Sequence, residues 1–258
     1  VESLYADRAT PFAPLLRWRL RRGAAPGQRV VAVTELLSVA SATPALQVHS
    51  EGTRTLHFAV LLVKEPHDFD GFMEDAANFQ DETIPQDLLI EAARFLLRGG
   101  WPQAEDPQDD KYEISEWLQE LSPTLASVAW GQVLRIVRWF TAGSVQVLGK
   151  KDKRILPYPK SEDFEKEENA RKFRPTGLRP GERFVSSWRD LTYFVDKVLQ
   201  ETTGRVRLSD LKKRLRSQFN WELSETALGH TNLLNLMKDE RCSGAFVLDK
   251  VSDSDVIW

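Results

Sequence analysis

Four cations fall within five residues at Lys212, Lys213, Arg214 and Arg216. On one helix, each such side chain can neutralise a phosphate, and an arginine can also stack on an exposed base. Arg205 and Arg207 flank the short stretch just before them and can extend the patch. A second group, Lys150, Lys151, Lys153 and Arg154, lies where Gly149 to Lys153 reads as the loop of a basic hairpin. His230, directly after Leu228-Gly229, has two readings: a hydrogen bond to a phosphate or base, or a cap on that turn. The plain alternative for both cation groups is a solvated surface, as most charge runs are. Trp188 and Trp221 could stack on bases, but large aromatics bordering a small domain more often pack within it.

Other chemistry lacks its residues. His67, Asp68, Asp70, Glu74 and Asp75 offer one imidazole and several carboxylates, yet no second histidine is near and no helical period aligns them. No metal is expected there. Cys242 is the only cysteine, which excludes an internal disulfide and a Cys-based zinc site. No Gly-x-Ser-x-Gly elbow, P-loop or Gly-x-Gly-x-x-Gly organises a nucleophile, phosphate or dinucleotide site. Neither enzymatic activity nor a cofactor is expected.

The elements that would carry these residues follow from apolar spacing. Leu191, Phe194, Val195, Val198 and Leu199 recur at helical intervals after a cap at Ser187 with Asp190 three residues on. A short strand Val206 to Leu208 leads to a helix capped by Ser209, whose Leu211, Leu215 and Phe219 share a narrow arc with the cations fanning outward. Ser224 caps a third helix ended by Gly229, Thr231 opens a fourth, and Ala245 to Asp249 is a closing strand. Helices followed by a β element make residues 184–258 a winged helix.

Upstream, residues 159–183 are dense in charge of both signs and read as a linker. Residues 64–158 form an acidic helical region with one helix between Pro85 and Gly99, a second over Ile114 to Leu121, and a third carrying Val133, Ile136, Val137 and Phe140. It ends in strands Ser144 to Leu148 and Arg154 to Tyr158. Residues 1–63 read as helix, turn, helix and hairpin, a degenerate winged helix. The fold class is therefore mainly α with small β elements.

Charge is unevenly spread. Net charge is −3, but residues 64–148 carry six Lys/Arg against sixteen Asp/Glu, while 149–183 carry eleven against seven. An acidic middle repels phosphate, so RNA contact belongs to the flanking parts. The longest apolar run, Phe58 to Val63, is far below the roughly 20 residues of a membrane span. The sequence starts at Val1 and no targeting segment is read from it.

Leu208-Ser-Asp-Leu-Lys-Lys-Arg-Leu, followed by Glu222-Leu-Ser-Glu-Thr-Ala-Leu-Gly-His230, Leu233-Leu234 and Phe246-Val-Leu, resembles the signature of the LOTUS (OST-HTH) family over residues 184–250. Val133 to Glu162 is weakly similar to the region that accompanies such domains. The resemblance implies RNA binding, with G-rich RNA as the class, within a ribonucleoprotein and with other proteins as partners. Some members dock a DEAD-box helicase through a further C-terminal helix, whereas the sequence here closes on the polar Val251-Ser-Asp-Ser-Asp255, so helicase activation is not expected. The rival reading is a structural subunit of a large assembly, suggested by the acidic balance and eight tryptophans.

Overall fold

The computed structural model describes residues 1–25, 29, 31–50, 57–73, 84–143, 145–202, 204–251 and 254–258. The chain is mainly helical with small antiparallel sheets, and it divides into two units, Val1–Ser161 and Glu162–Trp258.

The first unit begins with α1 (Glu2–Ala6), α2 (Ala13–Arg22) and α3 (Val33–Ala42), then the hairpin β1 (Leu46–Ser50) and β2 (Phe58–Leu62) with Val48 opposite Val60. Arg19, Arg21 and Arg22 occupy the last turn of α2, where cations complement the helix dipole. Four further helices follow: α4 (Gln86–Leu96), α5 (Asp110–Leu121), α6 (Pro123–Ala126) and α7 (Trp130–Ala142). Leu4, Leu15, Trp18, Phe58 and Val60 share one core with Tyr112 of α5 and Trp130 and Leu134 of α7. The stretch expected to stand alone as 1–63 therefore completes its core with helices from the middle of the chain. A second cluster joins Leu88, Ala92 and Leu96 of α4 to Ile114, Leu118, Val133, Ile136, Val137 and Phe140, as the apolar spacing required.

This unit closes with β3 (Leu148–Lys151) and β4 (Arg154–Pro157), paired antiparallel. The first strand starts later than expected, so Lys150 and Lys151 are strand residues and only Asp152 and Lys153 form the turn. Both turn residues have positive φ, +51° and +67°, as a tight hairpin with the right twist demands. A Cβ at Gly149 would collide with Ser161, so glycine lets the returning chain lie close on the strand.

The second unit starts with α8 (Glu162–Arg171), inside the segment expected to be a linker. Its sequence has no apolar period, and Ala170 is its one buried residue. Acids in the first turn and Arg171 in the last suit the dipole, and Glu168 pairs with both Arg171 and Lys172. The next helix, α9 (Trp188–Glu201), is capped as predicted: Ser187 Oγ accepts from Asp190 N at 3.1 Å. After β5 (Val206–Arg207) comes α10 (Leu208–Arg214), which continues into a π turn over Leu215–Phe219. Its N-cap is Arg207, with no side-chain cap from Ser209.

A 3-10 turn, Glu225–Leu228, ends at Gly229 with φ +87°. Helix α11 (Leu233–Met237) is capped by Asn232, one residue beyond the Thr231 expected, with Asn232 Oδ1 accepting from Asn235 N at 2.8 Å. Strands β6 (Leu248–Val251) and β7 (Ser254–Ile257) complete an antiparallel sheet of order β5-β7-β6. The expected closing strand thus begins three residues later, and the polar ending supplies the central strand, whose Ile257 is fully buried opposite Val206 and Leu248. Val185, Leu191, Val195, Val198, Leu211 and Leu215 meet in the core. Among the described residues, no helix is long and apolar enough to cross a membrane.

Candidate nucleic-acid interface

Burying Leu208, Leu211 and Leu215 turns the cationic side of α10 outward, beside a groove of about 410 Å³. Ser209, Lys212, Lys213 and Arg216 line one side of it, with Thr176 and Gly177 also in the lining. Two of these cations are paired within the unit. Lys212 Nζ lies 2.7 Å from the Glu225 carboxylate, and Arg216 Nε donates to Glu222 Oε1. The cations keep 43% and 58% of their side-chain surface exposed, against 15% and 12% for the carboxylates, so the positive ends remain reachable. Lys213 is exposed. Arg214 is half-buried, and its Nε is enclosed without a hydrogen-bond partner, so it stands apart from the groove residues.

A small polar network fixes Thr176. Its N–H donates to Ser224 Oγ at 2.7 Å, and its hydroxyl oxygen accepts from Thr226 and from Asn169 Nδ2, both at 3.0 Å. Ser224 and Thr226 are each 2% exposed, which ties the chain after α8 to the body of the unit. Arg205 and Arg207 are exposed on either side of buried Val206, with Arg207 opposite Val256 in the sheet.

His230 is engaged elsewhere. Its Nε2 is 2.9 Å from Asp239 Oδ2, a partner that neither sequence reading named. Asp239 also accepts from Arg241 Nε at 2.8 Å and Nη2 at 2.9 Å, and the Arg241 guanidinium lies 4.0 Å from the Trp188 ring centroid. These Arg241 hydrogen bonds, more than that of His230, hold the Asp239 carboxyl well below the usual carboxylate range. Trp188 and Trp221 both pack against the core, Trp221 with its ring 4.8 Å from that of Phe194. That is the packing role rather than the stacking one.

The hairpin cations of the first unit divide. Lys150, Lys151 and Lys153 are exposed, but Arg154 turns inward, donating to Asp110 Oδ1 at 2.7 Å and to the Ala104 carbonyl. Arg154 thus ties β4 to the start of α5. Glu74 and Asp75 of the conjectured metal cluster lie outside the described residues. Asp70 and Gly71 use their carbonyls to accept from Arg8, and among the described residues no group of three or more His, Cys, Asp or Glu is placed to hold a metal.

Sequence reasoning singled out the cations but missed the acids that face them. Glu222 and Glu225 stand three apart, which was the available signal. No family model, curated protein or solved structure matches this chain, so a function must be argued from its own residues.

Proposed function

We propose that the chain is a non-enzymatic RNA-binding protein of a ribonucleoprotein, and that its C-terminal part is a winged helix of the LOTUS (OST-HTH) kind whose α10 receives RNA phosphates. The observation that carries this is the placement of Lys212, Lys213 and Arg216 along one groove. Pairing with Glu225 and Glu222 does not remove them from use. Lys212 and Arg216 keep 43% and 58% of their side chains exposed, so a phosphate can approach them on the open side of each pair. Over residues 162–258 seventeen Lys/Arg balance seventeen Asp/Glu, so attraction must come from this local patch. The succession of α9, β5, α10, α11 and the β6-β7 hairpin supports the winged-helix reading.

A structural subunit is the second reading, and one feature favours it: Ile90 and Leu97, seven residues apart at α4, are 62% and 64% exposed, a face that protein could cover. The deciding experiment replaces Lys212, Lys213 and Arg216 with Gln in the full chain. RNA affinity should fall, and the slope of log affinity against log salt should become shallower by about two, at roughly 0.7 to 0.9 per phosphate. An unaltered slope in a folded variant would leave protein docking as the better account.

A further inference from the structure

We infer that Phe173 is a stacking platform for one unpaired nucleobase, which makes single-stranded RNA the ligand of the groove beside α10; this rests on the RNA reading above. Phe173 is 63% exposed, more than Tyr193 at 56% or Trp258 at 46%. Its backbone sits in the left-handed region, φ +51°, just past the end of α8. That position normally takes glycine or asparagine, because a side chain there strains the backbone. A bulky apolar residue is costly on both counts, since it strains the chain and leaves its ring in water.

Local structure nevertheless holds the residue firmly. Phe173 N donates to Ala170 O at 3.2 Å and Arg174 N to Asn169 O at 2.8 Å, and three residues on Thr176 is locked by Ser224 and Thr226. The ring lies on Gly229, where a Cβ would come within 2.9 Å of Phe173 Cε1. A glycine at one position and an aromatic at the other are therefore matched.

The surroundings state the ligand's charge. Arg171, Lys172 and Arg174 flank Phe173 in sequence and are exposed, and the first two share the single carboxylate of Glu168. An exposed ring with three exposed cations beside it in the chain suits a polyanion that carries π-faces, which is a nucleic acid with its bases unstacked. Duplex bases are already stacked on one another and cannot offer a face to a fixed ring. The same chain stretch then runs to Thr176 and Gly177 at the groove, so a strand stacked on Phe173 has phosphate sites ahead of it.

The experiment measures binding of the full chain to a short unstructured RNA carrying one 2-aminopurine, and to a hairpin duplex of the same composition, over a salt series. Phe173→Ala and Phe173→Leu should each weaken single-strand binding by about tenfold or more, abolish the change in 2-aminopurine fluorescence on binding, and leave the salt slope unchanged. Phe173→Tyr should bind like wild type. Full affinity in Phe173→Leu, or equal wild-type affinity for duplex and single strand, would overturn the platform while the α10 reading survives. Absence of RNA binding by the wild-type chain would remove both.

Discussion

Arg154 Nη1 donates to Asp110 Oδ1 at 2.7 Å, and this carboxylate, 1% exposed, also accepts from Ala104 N and Ile155 N at 3.1 Å each. One buried acid thus ties the start of α5 to β4 and to the loop before it. Removing the guanidinium leaves a buried charge with only two backbone donors. Arg154→Gln should cost on the order of 3 kcal/mol of stability. Its salt slope for RNA should not change, since the side chain faces the acid. A thermal melt and a salt titration of the same variant check both halves.

Gly131 lies in the first turn of α7, where alanine would ordinarily favour the helix by about 1 kcal/mol. Here the sign reverses. Gly131 N donates to Asp7 O at 2.8 Å, and a Cβ would meet Arg8 O, with Arg8 C at 2.8 Å and Asp7 O at 2.9 Å. These are backbone atoms and cannot swing aside. Gly131→Ala should therefore lower stability by about 1–3 kcal/mol. A raised melting temperature would show that the backbone at residues 7–8 yields.

The parts of the fold that were legible are those where burial follows a period. In α9, Leu191, Phe194, Val195 and Val198 are buried at the spacing read from sequence, and Ser187 caps where expected. Helix α8 was not legible, because ion pairs around Glu168 and one small contact at Ala170 replace an apolar stripe. Strand β7 was missed because, among its described side chains, Ile257 alone is buried, next to Ser and Asp that signal a loop. At the candidate site, the cations of α10 were visible as types. Their pairing with Glu222 and Glu225, and the diversion of Arg154 and His230, depend on contacts six to 44 residues apart in sequence that no local pattern encodes.

Asp239 sets an acid-side limit on the second unit. Hydrogen bonds from Arg241 first, and also from His230, lower its pKa in the folded state. A carboxyl with a lowered folded pKa contributes stability that is fully present above its unfolded value, about 3.9, and is lost as pH falls through the folded value. The stability gap between wild type and Asp239→Asn should hence be constant near neutrality and shrink on acidification below about pH 4. Denaturant melts across that range test it. A gap that widens on acidification would mean that Asp239 is not the ionised partner.

The carboxylates of Glu222 and Glu225 occupy the cations that the RNA reading needs, which gives a prediction opposite in sign to the loss of those cations. If phosphate displaces these acids, Glu222→Gln with Glu225→Gln should raise RNA affinity and steepen the salt slope by up to about 1.4, two phosphate sites at 0.7 each for a single strand. Part of the gain would follow from any change of two charges, because long-range attraction grows with net charge. A control with the same charge, Asp163→Asn with Glu201→Gln on exposed positions, isolates the local effect and should leave the slope nearly unaltered. Folding should survive, since the main-chain bonds from Glu222 N to Arg183 O and from Val185 N to Glu222 O do not involve the carboxylate. Equal slopes in the two double variants would show that Lys212 and Arg216 do not exchange their partners for phosphate, and would confine any RNA contact on α10 to Lys213.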